Sequence, residues 1–246
     1  MQKKAQLKVF RGDSKGGAFK EYEVPLHEGM VVLDAIHHIQ AKEDTTLSVR
    51  WNCKAGKCGS CGGEVNGKPK LMCMTRMDQL PLDKPITVEP MKAFPIIKDL
   101  VCDVSWNYEI NKQIPKFKPK EALPDGTWRM QQKDIDRVQE FRKCIECFLC
   151  QDVCHVIRNH KKNNFLGPRF LVRVASLEMH PLDTEDRLPL LKEKFEMGLC
   201  NITKCCTEVC PEHITITDNA IIPLKERVVT RYYDPVAKFW QKVFKR

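Results

Sequence analysis

Cysteine is the residue type that can support chemistry in this 246-residue sequence, which contains thirteen of them. Disulfides would explain that number in an exported protein, but the polar start over residues 1–6 is not followed by an apolar signal core. The close spacing of cysteines such as Cys58 and Cys61 instead favours metal coordination. We therefore expect most of the thiols to bind metal, in a chain that stays on the side of the membrane where it is made.

The first run of cysteines has the spacing of a plant-type [2Fe–2S] site. Cys53, Cys58 and Cys61 lie in one loop, and Cys73 follows after eleven residues. A loop around two irons must turn sharply and direct backbone N–H groups at sulfur, and glycine permits the dihedral angles that this requires. The loop contains Gly56, Gly59, Gly62 and Gly63. Zinc also accepts four thiolates, but zinc sites usually combine two separated Cys-x2-Cys pairs, so the spacing favours a [2Fe–2S] cluster.

The second run of cysteines, Cys144-x2-Cys147-x2-Cys150-x3-Cys154, has the spacing of a bacterial ferredoxin motif. In two-cluster ferredoxins the fourth cysteine of such a run binds the other cluster, so a third run should repeat the spacing from Cys200. The repeat has Thr203 where its second cysteine is expected. Crossing the fourth cysteines assigns Cys144, Cys147, Cys150 and Cys210 to a [4Fe–4S] cluster, and Cys154, Cys200 and Cys206 to another. Three thiolates and a hydroxyl at the vacant corner suit a [3Fe–4S] cluster.

Two cysteines fall outside these ligand sets. Cys205 directly precedes Cys206 and breaks the spacing, so we interpret it as a bystander. A shifted register would instead make Cys205 a fourth ligand of the last cluster. Cys102 stands alone and is expected to be a small core residue.

The elements that position the first run form a small α+β domain, predicted over residues 1–105. Alternating apolar and polar residues over 5–10 and 19–24 flank a turn at Gly16-Gly17 and predict a hairpin. Apolar residues recur at helical spacing over 30–41. The Asn66-Gly67 pair predicts a tight hairpin turn after the cysteine loop, and residues 86–88 predict a further strand.

The remaining residues, 106–246, are predicted to form a mainly helical domain. Residues 111–126 contain three prolines and little apolar periodicity, which indicates a linker or an extended crossing segment. Pro168 suits the first turn of a helix over 169–179. A further helix is expected over 188–197, with Gly198 as its end.

The formal net charge of +9 would also suit a zinc-stabilised protein that binds nucleic acid. Cysteines bound to a cluster are thiolates, however, and three clusters with their ligands would each carry a net charge of about −2. The basic residues also occur in short groups rather than in one long arm, so no nucleic-acid partner is expected. The sequence has no apolar stretch of roughly eighteen residues, and we therefore expect no transmembrane helix.

In these features the sequence resembles the iron–sulfur subunit of succinate dehydrogenase and fumarate reductase, over essentially its whole length. The segments that carry the resemblance are residues 53–61, Cys144-Ile145-Glu146-Cys147, Phe165-Leu166-Gly167-Pro168 and Cys206-Thr207-Glu208-Val209-Cys210-Pro211. The resemblance implies an N-terminal plant-type ferredoxin domain with a β-grasp-like fold, followed by a helical domain like a bacterial ferredoxin.

The resemblance also implies a function. Electrons would arrive from the FAD of a partner subunit that oxidises succinate, and would pass through the [2Fe–2S], [4Fe–4S] and [3Fe–4S] clusters to a membrane quinone. The chain would be a peripheral membrane protein on the cytoplasmic or matrix face, held by membrane-anchor subunits, and none of its own residues would be catalytic. The alternatives are the same subunit in a quinol:fumarate reductase working in reverse, and a soluble multi-cluster carrier.

The region expected near the quinone departs from a well-known branch of the family, which has a proline and then a tryptophan pair there. In this sequence His155 follows Cys154, Arg158 stands nearby, and Asn201 takes the place of a histidine. These three residues are the candidates for contact with the quinone, and the missing tryptophans favour another quinone type such as menaquinone. The mixed basic and aromatic residues over 231–246 suit either a membrane interface or a terminal helix packed on its own domain.

Overall fold

The computed structural model describes residues 3–159 and 164–236, and its internal contacts divide the chain into two compact units. The first unit consists of Met1–Trp106, Ile145–Cys154 and Val209–Glu212. The second unit consists of Asn107–Cys144, His155–Glu208 and His213–Arg246. The domain boundary after residue 105 stays a prediction, but two short cysteine-bearing segments from the later sequence belong to the first unit.

A mixed five-stranded sheet forms the centre of the first unit. Its strands are β1 (Lys4–Asp13), β2 (Gly16–Pro25), β3 (Gly62–Val65), β4 (Lys68–Leu71) and β5 (Ile86–Glu89). They lie in the order β2-β1-β5-β3-β4, in which β1 and β5 run parallel and the other neighbours run antiparallel. Strands β6 (Ile96–Lys98) and β7 (Val101–Cys102) form a separate antiparallel pair. The cysteine loop therefore leads directly into β3, near the centre of the sheet.

The hydrophobic pattern explains why these elements form. In β1, Leu7 and Val9 are buried and alternate with more exposed residues, as one buried face of a strand requires. Helix α1 (Val32–Lys42) buries one apolar face. The turn between β3 and β4 has positive φ at Asn66 and Gly67, 49° and 71°, as a two-residue type I′ hairpin requires. The predicted hairpins, helix and strand of this unit are confirmed.

Helices predominate in the second half of the chain. They are α2 (Ser105–Lys112), α3 (Gln132–Gln139), α4 (Leu149–Asp152), α5 (His155–Asn159), α6 (Pro168–Glu178), α7 (Cys205–Glu208) and α8 (Ile222–Tyr232). Tighter 3₁₀ turns span Met77–Gln79, Glu140–Lys143 and Met197–Leu199, and wide π-helical turns span Leu190–Lys194 and Ile216–Ile221. The predicted helix that begins at Pro168 is confirmed. No helix in the described part of the chain is long and apolar enough to cross a membrane.

Two predicted segments differ from the structure. Residues 188–197 do not form one continuous helix, because Glu196 adopts a positive φ of 44° after the wide turn, and Gly198 then lies inside a 3₁₀ turn. The predicted linker over 111–126 begins inside α2. Helix α2 has eight residues, of which Asn107 is the buried one. The helix therefore lacks the repeating buried apolar residues from which it could have been predicted.

Arg187 anchors the segment that was predicted to be a linker or an extended crossing segment, and its contacts fit the second alternative. Its side chain is 0% exposed, and its guanidinium donates to the carbonyl oxygens of Pro115 and Lys116 at 3.0 and 2.8 Å. The carboxylate of Asp183 accepts from the same guanidinium at 2.9 Å and from the backbone N–H of Lys118 at 3.1 Å. Such a set of acceptors requires the planar, multiple donor that arginine provides. The segment is therefore a fixed part of the second unit.

We expect Arg187→Lys to lower the free energy of unfolding by about 2–3 kcal/mol, because an ammonium group keeps the charge but cannot reach all of these acceptors. Thermal unfolding would measure the loss, and hydrogen exchange over 115–118 would localise it. Arg129→Lys is the matched control, since Arg129 pairs with Asp125 at 2.8 Å on the surface and its replacement should cost less than about 1 kcal/mol. Equal effects of the two variants would contradict the anchoring role.

Candidate metal centres

The loop over residues 52–63 directs backbone N–H groups at the sulfur atoms of the first cysteine run. Cys53 Sγ accepts from Ala55 and Lys57, Cys58 Sγ accepts from Cys53 and Ser60, and Cys61 Sγ accepts from Cys73. The N–S distances are 3.3–3.5 Å. Positive φ values at Lys54, Gly56 and Gly59 make these approaches possible. Donors that converge on sulfur stabilise thiolates and influence the potential of a cluster bound to them.

The four thiols of this run lie in two pairs. Cys53 donates its backbone N–H to Sγ of Cys58 at 3.5 Å, and Cys73 donates its backbone N–H to Sγ of Cys61 at 3.4 Å. A [2Fe–2S] cluster needs two thiolates at each of two irons, whereas one zinc ion needs four ligands around one position. Among the described residues no three cysteine, histidine or carboxylate side chains surround one position that could hold a metal ion. The paired arrangement fits the two-iron cluster.

The pKa values of two thiols in this loop are shifted in opposite directions. Burial raises the pKa of Cys58, but the Ser60 hydroxyl and the amides of Cys53 and Ser60 outweigh it and lower the pKa to about 6. Burial raises the pKa of Cys61 to about 12, against the lowering effect of the Cys73 amide. Since the thiolate is the metal ligand, Cys58 is ready to bind at neutral pH, whereas Cys61 must release its proton to water as the metal binds.

Gly59 brings the first cysteine run into contact with the second run, within the first unit. At its φ of +69°, a Cβ atom would lie 2.6 Å from Cα and 2.9 Å from Cβ of Cys147. A Cβ on Gly62 would lie 3.5 Å from the carbonyl oxygen of the same cysteine. Lys57 also pairs with Glu212, two residues after Cys210, at 3.5 Å. Gly59, in the loop of the first cysteine run, is thus in direct contact with Cys147, a predicted ligand of the second cluster.

The second and third cysteine runs follow the same backbone path. Cys144 follows a 3₁₀ turn and has φ −64° and ψ 115°, and Cys200 follows a 3₁₀ turn and has φ −68° and ψ 118°. The residues two and four positions later have positive φ in both runs: Glu146 and Phe148 at 55° and 61°, Ile202 and Lys204 at 61° and 62°. A short helix begins at the fifth position in each run, α4 at Leu149 and α7 at Cys205.

This repeat gives each cysteine of the third run a counterpart in the second. Thr203 takes the position of Cys147, and Cys206 takes the position of Cys150, which is buried like Cys206. Cys205 takes the position of Leu149 rather than that of a ligand, and its Sγ lies 3.3 Å from Oγ1 of Thr203. The backbone therefore supports the register in which Thr203 replaces a ligand.

The three residues predicted near the quinone line one cavity of the second unit. His155, Arg158 and Asn201 surround a volume of about 1130 Å³. Nε2 of His155 is buried and has no hydrogen-bond partner among the described residues. Polar, basic and apolar side chains share the wall of the cavity, which is large enough for a small organic ligand.

The sequence did not single out Lys225, which also lines this cavity. Its ammonium group donates to the carbonyl oxygen of Cys200, and so joins α8 to the start of the third cysteine run. A single lysine in an amphipathic helix has the pattern of an ordinary solvated charge, and no spacing rule distinguishes it. Cys102 is buried and donates to the carbonyl of Met91 at 3.5 Å, as a small core residue would.

Comparison with known proteins agrees with this geometry. A family described as a 2Fe-2S iron-sulfur cluster binding domain matches residues 6–109, and one described as a 4Fe-4S dicluster domain matches residues 140–214. The fumarate reductase iron-sulfur subunit of Mycobacterium tuberculosis is 35% identical over 205 residues, which are 80% of this chain and 80% of that protein. The chain belongs to the family of succinate dehydrogenase and fumarate reductase iron–sulfur subunits.

Other members of the family match with similar coverage. The succinate dehydrogenase iron-sulfur subunit of Bacillus subtilis is 30% identical over 214 residues, 80% of this chain and 81% of that protein. Among solved structures, a chain of the Mycobacterium smegmatis Sdh1 complex in the apo form is 59% identical, with a TM-score of 0.92. The alignment covers 96% of this chain and 100% of that one. The predicted fold class, a [2Fe–2S] α+β domain followed by a helical domain, is confirmed.

The Ser60 hydroxyl lowers the pKa of Cys58, a predicted ligand of the first cluster. With Cys58 as a ligand, we expect Ser60→Ala to lower the reduction potential of the [2Fe–2S] cluster by roughly 20–60 mV, because the reduced cluster loses a group that stabilises the thiolate. A redox titration of the complex, followed by EPR, would measure the shift. Ser14→Ala, in the exposed turn between β1 and β2, is the control, and an unchanged potential in Ser60→Ala would contradict the contact.

Proposed function

We propose that this iron–sulfur subunit carries electrons from the FAD of a partner subunit, where succinate is oxidised, to a membrane quinone. The observation that carries the proposal is the cavity of the second unit. His155 and Asn201 line it, and in the sequence these residues directly follow Cys154 and Cys200, two proposed ligands of the last cluster. A mainly apolar cavity with a few polar and basic side chains, next in sequence to ligands of the last carrier, is what an electron acceptor of quinone size requires.

The proposed ligand sets follow the three runs. They are Cys53, Cys58, Cys61 and Cys73 for the [2Fe–2S] cluster, Cys144, Cys147, Cys150 and Cys210 for the [4Fe–4S] cluster, and Cys154, Cys200 and Cys206 for the [3Fe–4S] cluster. The backbone contacts within each pair of cysteines support the first set. The repeated backbone path supports the register of the other two runs, and the exchange of Cys154 and Cys210 follows the pattern of two-cluster ferredoxins. Thr203 then stands where a fourth thiolate would complete the last cluster.

When bound, the clusters would supply a series of one-electron carriers between a two-electron flavin and a two-electron quinone. The residues of this chain supply the rest. Backbone N–H groups stabilise the thiolates of the first run, and burial of Cys147, Cys150 and Cys206 excludes water from the others. Arg158, Lys192 and Lys225 bring positive charge to the cavity, which would stabilise a quinone oxygen as it gains electrons.

The surface beside the cavity supports an attachment to membrane-anchor subunits. Leu199, Val229 and Tyr233 line the cavity and have exposed side chains, and Ile202 and Val236 are exposed close to them in sequence. No helix of the described residues is transmembrane. An exposed group of this kind marks a surface that another protein or a membrane covers. We therefore propose a peripheral location on the cytoplasmic or matrix face, and menaquinone stays a candidate for the quinone. The aromatic and basic residues over 237–246 lie outside the described residues.

A second candidate function is quinol:fumarate reduction by the same carriers, which the names of the fumarate reductase relatives favour. The cluster potentials set how readily electrons pass between the last cluster and the quinone, whereas the overall direction follows the difference in potential between the quinone and the succinate–fumarate couple. A quinone of lower potential than that couple would favour fumarate reduction, and one of higher potential would favour succinate oxidation.

Low-temperature EPR of the complex, purified without oxygen, tests the three-cluster proposal. An oxidised [3Fe–4S] cluster is paramagnetic, whereas the oxidised [2Fe–2S] and [4Fe–4S] clusters are silent. We expect one signal in the oxidised protein that disappears on mild reduction, and two further signals at lower potential. Undamaged protein that is silent when oxidised, and that gives two [4Fe–4S] signals when reduced, would overturn the assignment of the last cluster.

A further inference from the structure

Two threonine hydroxyls form a short network that ends at a proposed ligand of the last cluster. Thr217 lies in the wide turn Ile216–Ile221, is 1% exposed, and places its Oγ1 atom 3.5 Å from Sγ of Cys206. The same Oγ1 atom is 3.0 Å from Oγ1 of Thr207. Thr207 Oγ1 also accepts the backbone N–H of Thr217 at 3.0 Å. The three residues all belong to the second unit.

The chemistry of a bound thiolate determines which way these hydrogen bonds run. A cysteine that binds metal has lost its proton, so its sulfur can accept a hydrogen bond but cannot donate one. The hydroxyl of Thr217 is therefore the donor to Cys206. Its oxygen keeps a free lone pair, to which Thr207 can donate its own hydroxyl proton while the Thr217 amide holds the Thr207 oxygen. The result is a buried hydroxyl whose direction is fixed before any electron arrives.

We propose that Thr217 is a positioning residue that raises the reduction potential of the last cluster through Cys206, and that Thr207 fixes its direction. The inference rests on the proposed assignment of Cys206 to that cluster. A donor to sulfur stabilises the reduced cluster more than the oxidised one, because reduction adds a negative charge. The burial of Thr217 strengthens the effect, since little water competes for the sulfur.

The test is a redox titration of the complete complex carrying Thr217→Val, a variant that keeps the shape of the side chain and removes the hydroxyl. We expect the equilibrium of the oxidised-state signal to shift five- to tenfold toward the oxidised form, about 40–60 mV for one electron. Thr217→Ser should restore the potential. Thr215→Val is the matched control, because the amide and hydroxyl of Thr215 bond to Glu140 rather than to sulfur, and it should leave the potential unchanged.

The outcomes separate this inference from the proposed function. Wild-type protein without an oxidised-state signal would overturn the cluster assignment and this inference with it. A normal signal in wild type with an unshifted potential in Thr217→Val would overturn the inference alone. If Thr217→Val does not retain the cluster, Thr207→Val provides the second measurement: a smaller shift in the same direction supports the relay, and no shift overturns it.

Discussion

Gly59→Ala is expected to lower the stability of the first unit by about 3 kcal/mol or more and to reduce the [2Fe–2S] content of the purified protein. The new Cβ would lie 2.6 Å from Cα of Cys147, and the backbone at Gly59 has a φ of +69°. Neither the backbone at Gly59 nor that at Cys147 can move without a large cost in free energy. Gly59 lies between Cys58 and Cys61, and Cys147 is itself a proposed ligand, so any relaxation displaces sulfur atoms of one cluster or the other.

Gly67→Ala is the control that separates the two costs of Gly59→Ala, which are the backbone strain and the close contact with Cys147. Gly67 has a similar φ of +71°, but a Cβ there would meet nothing within 4 Å. Its replacement should therefore cost the backbone strain alone, about 1 kcal/mol, with full cluster content. Iron and acid-labile sulfide analysis, together with thermal unfolding, would measure both variants. Equal losses in the two variants would show that the close approach of Gly59 to Cys147 is not a constraint.

Thr203→Cys is expected to convert the proposed [3Fe–4S] cluster into a [4Fe–4S] cluster. The repeated backbone path gives residue 203 the same place in its run as Cys147 has in the other, so a thiol there would meet the vacant corner. The iron content should rise from about nine to about ten atoms per chain, and the signal of the oxidised state should disappear. Transfer of electrons to the quinone should fall strongly, because a cluster with one more ligand thiolate is harder to reduce.

The interpretation of Thr203→Cys depends on whether Cys205 is itself a cluster ligand. Its sulfur lies 3.3 Å from the Thr203 hydroxyl, close enough to compete for the same corner. We expect Cys205→Ser to leave the oxidised-state signal of the wild type unchanged, and the double variant Thr203→Cys with Cys205→Ser to behave like Thr203→Cys. If instead the wild type is silent when oxidised and Cys205→Ser creates a signal, Cys205 is the fourth ligand and the register is wrong.

The sequence predicted those parts of the fold that depend on local patterns. The alternation around Leu7 and Val9, the Asn66-Gly67 turn and the proline at the start of α6 are each determined by neighbouring residues, and each is confirmed. The helix over 105–112 was not predicted, because it buries little apolar surface. The wide turn after Pro189 was not predicted either, because its hydrogen-bonding pattern has no distinct sequence signal.

The candidate metal centres likewise contain some features that local sequence patterns predict and others that they do not. Spacing alone grouped the cysteines into runs, because ligands of one cluster loop are close in sequence. Spacing could not find Thr217, which lies eleven positions after Cys206 and meets it only through the fold. Lys225 likewise reaches Cys200 across twenty-five positions. Contacts of this kind depend on tertiary packing, and no local pattern records them.

The division of the chain into units has a consequence for its biosynthesis. The first unit includes residues 145–154 and 209–212, so the chain leaves that unit and returns to it twice. The five-stranded sheet and all four cysteines of the first run precede residue 90 and can assemble early, since chains fold from the N-terminus as they emerge from the ribosome. The partner of Gly59 at Cys147 emerges later, and Cys210 later still. Cofactor loading should therefore follow the order of synthesis, with the two clusters proposed for the later cysteine runs completed only when translation is nearly finished.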